Sequence, residues 1–144
     1  MNTALAAGVA MTFVWLGMVL AISFLEAPLK FRAPGVDLRT GLAIGRLVFR
    51  ALNTAELILA AGLVATVLAA GPPVAGWIGA GLAVLALAIQ LAVVRPRLTR
   101  RSDQVLAGQD LPRSASHYSY IVLEIVKVAA LVATGAALLA AGSA

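Results

Sequence analysis

The sequence predicts an all-α integral membrane four-helix bundle, and three observations carry that prediction. Of its 144 residues, 62% are hydrophobic and only 12% charged, whereas a soluble domain is roughly half apolar and a quarter charged. The apolar residues gather into four stretches, each about as long as the 20 or so residues that a helix needs to cross the hydrocarbon core. Most of the Lys and Arg residues lie in two of the three connections between those stretches.

The first stretch, about 4–27, has no basic leading region, and residues Ser23 to Ala27 do not form a small-x-small cleavage site. It therefore reads as a retained helix rather than a secretory signal. The second, about 42–70, is longer than the hydrocarbon requires. Its first turns, with Arg46, are expected among the headgroups, with their basic side chains snorkelling. Gly71-Pro72-Pro73 breaks the chain sharply, which makes helices two and three an antiparallel hairpin. The third stretch covers about 74–94 and the fourth about 117–141. Together they use residues 1–144 as a single transmembrane domain and leave no room for a separate soluble one. The chain has no cysteine, so disulfides and thiolate chemistry are excluded.

Lys30, Arg32 and Arg39 fall in the first connection, and Arg95, Arg97, Arg100, Arg101 and Arg113 in the third. The positive-inside rule then places both long connections in the cytoplasm and both termini outside. The net charge of +5 follows from that topology, so the expected partners are the bilayer and its anionic inner-leaflet lipids rather than nucleic acid.

Two polar stripes interrupt the apolar helices. Arg46, Arg50, Asn53 and Glu56 fall within roughly 120° of helical arc, and His117, Tyr120, Glu124 and Lys127 within about 80°. An ionisable group at the centre of a membrane helix costs on the order of 2.5–3.5 kcal/mol, so opposite charges in two helices point to a paired cluster. With Glu26 closing helix one and Gln90 near the end of helix three, every helix supplies a polar group to the cytoplasmic half. These ten residues are the candidate ligand site. Glu56, His117 and Glu124 also form a weak candidate set for a hard metal ion, although no ExxH or HxxxH spacing supports it. The competing reading is a self-neutralising network of Arg50, Glu56, Glu124 and Lys127.

Packing and symmetry have signals of their own. Ala129, Ala133, Ala137 and Ala141 on helix four, and Ala61, Ala65 and Ala69 on helix two, form small-residue ridges that fit either a face for close helix approach or the simple alanine richness of a biased composition. Trp77 suits an interfacial belt, whereas Trp15 falls at mid-helix, in the core or facing lipid. Helices one and three both exit through Pro-x-x-x-Arg, at Pro28 to Arg32 and Pro96 to Arg100. That echo fits either two hairpins related by an axis along the membrane normal or chance agreement.

Two family resemblances bear on function. The run Arg46 to Glu56 resembles the second helix of the membrane enzymes of eicosanoid and glutathione metabolism, with Arg46, Asn53 and Glu56 matching in spacing and Arg50 one residue out of register. That resemblance implies a glutathione-dependent transferase or peroxidase, with glutathione as cofactor held between subunits. More of the chain is similar to bacterial four-helix proteins related to eukaryotic transmembrane protein 205, through Gly17, Ser23-Phe24, Ala27-Pro28, Phe31, Gly45-Arg46, Phe49, Arg95-Pro96 and His117. It implies the four-helix architecture and a bacterial inner membrane.

The expected function is a small binding or transport protein, homo-oligomeric because four helices are few for a path within one protomer. Its ligand would be small and polar, ionic or amphipathic. In that scheme Glu56 and Glu124 take a cation or proton, and Arg50 or Lys127 orients an anion. The alternatives are the glutathione-type enzyme and a helper subunit of a larger membrane complex.

Overall fold

The computed structural model describes residues 1–108 and 115–143, and these are helix and turn with no strand. Four helices among them are long and apolar enough to cross a membrane. They are α1 (Thr3–Arg32), α2 (Leu38–Ala70), α3 (Val74–Leu106) and α4 (Ala115–Ser143). The chain is a multi-pass helical membrane protein.

Local chemistry sets the helix boundaries. The Asn2 side chain accepts the Leu5 N–H at 2.8 Å and starts α1, and the Asp37 side chain does the same for Thr40 at 2.8 Å at the start of α2. Both are N-cap bonds that satisfy an otherwise orphaned donor. The Thr40 N–H also holds the Asp37 carboxyl below the usual carboxylate range. Gly71 ends α2 at φ 58°, a left-handed conformation that costs glycine little, and the two prolines that follow prevent continuation.

Helices α1 and α3 run past the ends expected at about 27 and 94. Each contains a π-helical stretch, Leu20–Glu26 in α1 and Gln90–Val94 in α3, and each stretch closes just before a proline. A proline inside a helix lacks its N–H and crowds the carbonyl four residues back. Here the wider turn absorbs that conflict: the Ala27 N–H bonds Ile22 O and the Arg95 N–H bonds Gln90 O, so helix resumes at Pro28 and Pro96. As a result Arg95, Arg97, Arg100 and Arg101 lie on a helix rather than in a loop. Arg113 falls outside the described residues.

The two halves share more than that exit motif. Pro28 and Pro96 stand 68 residues apart (96 − 28), as do Glu56 and Glu124 (124 − 56) and the core leucines Leu63 and Leu131 (131 − 63). Helix α1 packs on α2 and α4, and α3 packs on α4, whereas α2 and α3 touch little despite their three-residue connection. An apolar cleft of about 350 Å³, lined by Val64, Val67, Trp77, Ala80 and Val84 among others, opens between them.

The small-residue packing face differs from expectation. Ala61, Ala65, Ala69, Ala129 and Ala133 are exposed on the outside of the bundle, and Ala137 and Ala141 are half-buried. Close approach instead occurs through Gly76, Gly79, Ala80, Ala83 and Ala86 of α3, all buried. A Cβ on Gly79 would lie 2.3 Å from Thr134 Oγ1 and 3.1 Å from Ala130 O. The ridges on α2 and α4 carry no such constraint, because composition rich in alanine supplies small residues on every face. Gly79→Ala is therefore expected to destabilise the protein by about 1–3 kcal/mol through overpacking. Gly81→Ala, where a Cβ meets nothing within 4 Å, should change stability by less than about 0.5 kcal/mol. Unfolding of both variants in mixed detergent micelles checks the pair.

Candidate functional site

The polar stripes meet the other helices near the middle of the bundle, where Glu56, Gln90 and Lys127 stand close to the midpoints of α2, α3 and α4. Lys127 of α4 is fully buried, and its ammonium has three acceptors: Glu56 Oε2 at 2.5 Å, Glu124 Oε1 at 2.6 Å and Gln90 Oε1 at 2.7 Å. Three acceptors match the three donors of an ammonium. The Trp15 indole N–H donates to Glu56 Oε2 at 2.8 Å. Gln90 Nε2 donates to Glu124 Oε1 at 3.2 Å and to Tyr120 O at 3.4 Å, and the Ser23 hydroxyl donates to Glu124 Oε2 at 2.5 Å. Each of the four helices thus contributes to one hydrogen-bonded cluster.

Energetics explain why it is so completely bonded. Three ionisable side chains left unpaired at this depth would cost on the order of 8–10 kcal/mol together, comparable to the whole stability of a domain. Pairing must return most of that. One oxygen, Glu56 Oε1, is buried without a partner. The two carboxylates share a single ammonium, and the Lys127–Glu56 bridge joins α2 to α4, which do not pack on one another closely.

Above Glu124 lies a cavity of about 470 Å³, walled by all four helices. Ser23 and Glu124 line it from α1 and α4, next to the buried cluster. Its walls are mostly apolar, with Phe24, Phe31, Leu42, Phe49, Leu98 and Ile121, and it carries the cations Lys30, Arg46 and Arg95. Arg46 is paired with Asp103 at 2.6 Å, and Lys30 lies 3.6 Å from Glu26. The Arg95 guanidinium sits 4.9 Å from the ring centroids of both Phe49 and Tyr120, and its Nη2 donates to the Tyr120 hydroxyl at 3.2 Å.

The ten candidate residues therefore divide. Glu56, Gln90, Glu124 and Lys127 form the buried cluster, together with the backbone carbonyl of Tyr120. Arg46, His117 and the Tyr120 side chain line the cavity. Arg50 does not join either group: its side chain is exposed, and its carbonyl accepts the Thr54 hydroxyl at 3.0 Å. Asn53 is half-buried and makes none of the cluster's bonds, and Glu26 faces Lys30. The stripe of α2 splits because 120° of arc is too wide to face one interior, so Glu56 turns inward and Arg50 outward.

The metal set does not converge either. Among the described residues no three His, Asp or Glu side chains are placed to hold a metal ion. The position between Glu56 and Glu124 is filled by the Lys127 ammonium. The glutathione triplet is also dispersed, with Arg46 at the cavity, Asn53 beside neither group and Glu56 enclosed.

Sequence reasoning missed Trp15 and Ser23 in the cluster, and Lys30, Phe49 and Arg95 at the cavity. Trp15 had a usable signal, since a buried indole N–H usually finds an acceptor and Glu56 was the acceptor available. Ser23 was marked only by a family resemblance and Lys30 only by its charge in the first connection, because helical spacing does not carry through the π-helical stretch at Leu20–Glu26.

Fold and site together define a class: a multi-pass helical membrane bundle with a bonded polar core near mid-length and an amphipathic cavity between that core and the basic end. Comparison with family profiles, with curated proteins and with solved structures gives no match for this chain.

Proposed function

We propose that this is a small inner-membrane binding or transport protein whose ligand occupies the cavity of about 470 Å³ at the basic end of the bundle. That volume falls in the range of small-molecule sites, about 300–1,000 Å³, and a mainly apolar lining with a few convergent polar groups is their usual character. The carrying observation is that this cavity borders Glu124, a member of the buried charge cluster, and is built from all four helices. The buried cluster acts as its floor rather than as its ligand contact.

Orientation follows the charge distribution. With Lys30, Arg32, Arg39 and the α3 arginines on one side, the cavity opens towards the cytoplasm and both termini face outward. The same residues attract anionic inner-leaflet lipids. A transport role requires a homo-oligomer, because four helices leave no continuous path beside a core filled by Trp15, Leu63 and Leu131.

A second reading is favoured by one observation: Lys127 engages both carboxylates and Gln90, so the cluster closes upon itself and serves architecture alone. The two readings separate on Gly45→Leu. Gly45 lines the cavity, and a Cβ there meets only the flexible end of Lys30, 3.0 Å away. Native mass spectrometry of the wild type is expected to show a retained small molecule, and Gly45→Leu is expected to lose it while melting normally. A wild type that carries nothing, and binds nothing offered, leaves only the architectural reading.

A further inference from the structure

We propose that the cavity selects an anionic amphiphile, a small apolar acid whose negative head rests on Arg95 with Lys30 beside it. This rests on the binding reading above and specifies its ligand class.

The charges that face the cavity decide the sign. From α1 comes Lys30, from α2 Arg46, from α3 Arg95, and from α4 Glu124 with His117. Glu124 is the one carboxylate among the lining residues, and its charge is already met by Lys127, Gln90 and Ser23. Arg46 is similarly met by Asp103. Lys30 is held only loosely, 3.6 Å from Glu26. Arg95 has no carboxylate partner among the described residues, and its Nε is buried without an acceptor.

A guanidinium without an anion in a mainly apolar cavity is costly unless something accepts from it. Phe49 and Tyr120 meet edge to face and hold the guanidinium against both rings, 4.9 Å from each centroid, and a planar fork held in place suits bidentate recognition of a carboxylate or phosphate. Lys30 lies 5.8 Å from the centroid of the same Phe49 ring, so the two cations flank one aromatic surface. A cationic ligand would find those ring faces already occupied.

Size decides between kinds of tail. At about 30 Å³ per water-sized group, the cavity holds on the order of fifteen such groups. That admits a short-chain or aromatic acid whole, whereas a two-chain phospholipid would enter by its headgroup only. The shared chemistry is an anionic head joined to an apolar body.

The test is calorimetric titration of the protein in zwitterionic-lipid nanodiscs, with empty discs subtracted, using octanoate, octylammonium and octanol. Octanoate is expected to bind saturably and the other two at least tenfold more weakly. Arg95→Gln should weaken octanoate at least tenfold, and Arg95→Lys, which keeps the charge and loses the fork, by less. Arg100→Gln, on the exposed face of α3, should leave it unchanged, and a normal melting temperature for Arg95→Gln shows that the loss is not misfolding.

Preference for octylammonium, or octanol binding as tightly as octanoate, overturns the anion assignment and leaves the cavity as a binding site. Octanoate binding indifferent to both Arg95→Gln and Gly45→Leu also overturns it, because the acid then sits elsewhere. Absence of binding by all three probes removes the ligand class, and the binding reading falls with it only if native mass spectrometry of the wild type also shows no retained molecule. If octanoate binds, competition by anionic phospholipid doped into the discs assigns the head to a bilayer lipid, and lack of competition assigns it to a free acid.

Discussion

Replacing Lys127 with methionine is expected to destabilise the bundle by about 3–5 kcal/mol, the cost of stripping one partner from a buried ion pair. The substitution keeps an unbranched side chain of similar length, so little of the loss comes from packing. Among the described residues, what it removes is the only cation bridged to the two buried carboxylates Glu56 and Glu124, both essentially inaccessible. Gln90 Oε1 and Glu56 Oε2 lose a donor at the same time.

The companion variants give that number its meaning. Glu56→Gln keeps an acceptor for Lys127 and Trp15 while leaving one carboxylate per ammonium, so its cost is expected at about 1 kcal/mol or less. The triple variant Lys127→Met, Glu56→Gln, Glu124→Gln removes every charge of the cluster. It should recover part of the stability lost by Lys127→Met, since no uncompensated buried charge is left and an unmet neutral amide costs less than an unmet ion. Equilibrium unfolding in mixed micelles measures all three, and a Lys127→Met protein as stable as the wild type would show that the ion pair does not hold the bundle.

The second large effect is expected at Trp15. Its ring is fully buried, and its N–H is one of two donors to Glu56 Oε2. Trp15→Phe removes a hydrogen bond to a charged group, a loss of about 1.5–3 kcal/mol, and leaves Glu56 dependent on Lys127 alone. Trp77→Phe, 43% exposed beside the α2–α3 cleft, should change stability by less than about 0.5 kcal/mol. Equal effects for the two tryptophans would mean that the indole contributes only bulk.

Much of the fold was legible because membrane helices leave a coarse record. Length, hydropathy and the Gly71-Pro72-Pro73 break locate four helices, and opposite charges in two of them identify Glu56, Glu124 and Lys127 as a group worth pairing. What escaped was rotation about the helix axis. Arg50 and Glu56 lie on one broad stripe, and helical spacing alone does not say which edge turns inward. The alanine ridges were ambiguous in sequence for a related reason: spacing is visible there, but the face that spacing presents is decided by neighbouring helices, and here glycine and alanine of α3 took that role. The apolar stretches likewise end at about 27 and 94, whereas the wider turns before Pro28 and Pro96 carry both helices on.

Those wider turns also make the molecule divisible as an evolutionary object. A π-turn amounts to one residue inserted into an α-helix, and one residue corresponds to about 100° of rotation. Removing a single residue between Leu20 and Glu26 would re-aim Lys30 and Phe31 away from the cavity while Trp15, upstream, kept its place against Glu56. A one-residue insertion or deletion at either point would thus re-aim part of the cavity wall while Trp15, Glu56 and Lys127, which lie outside both stretches, kept their places.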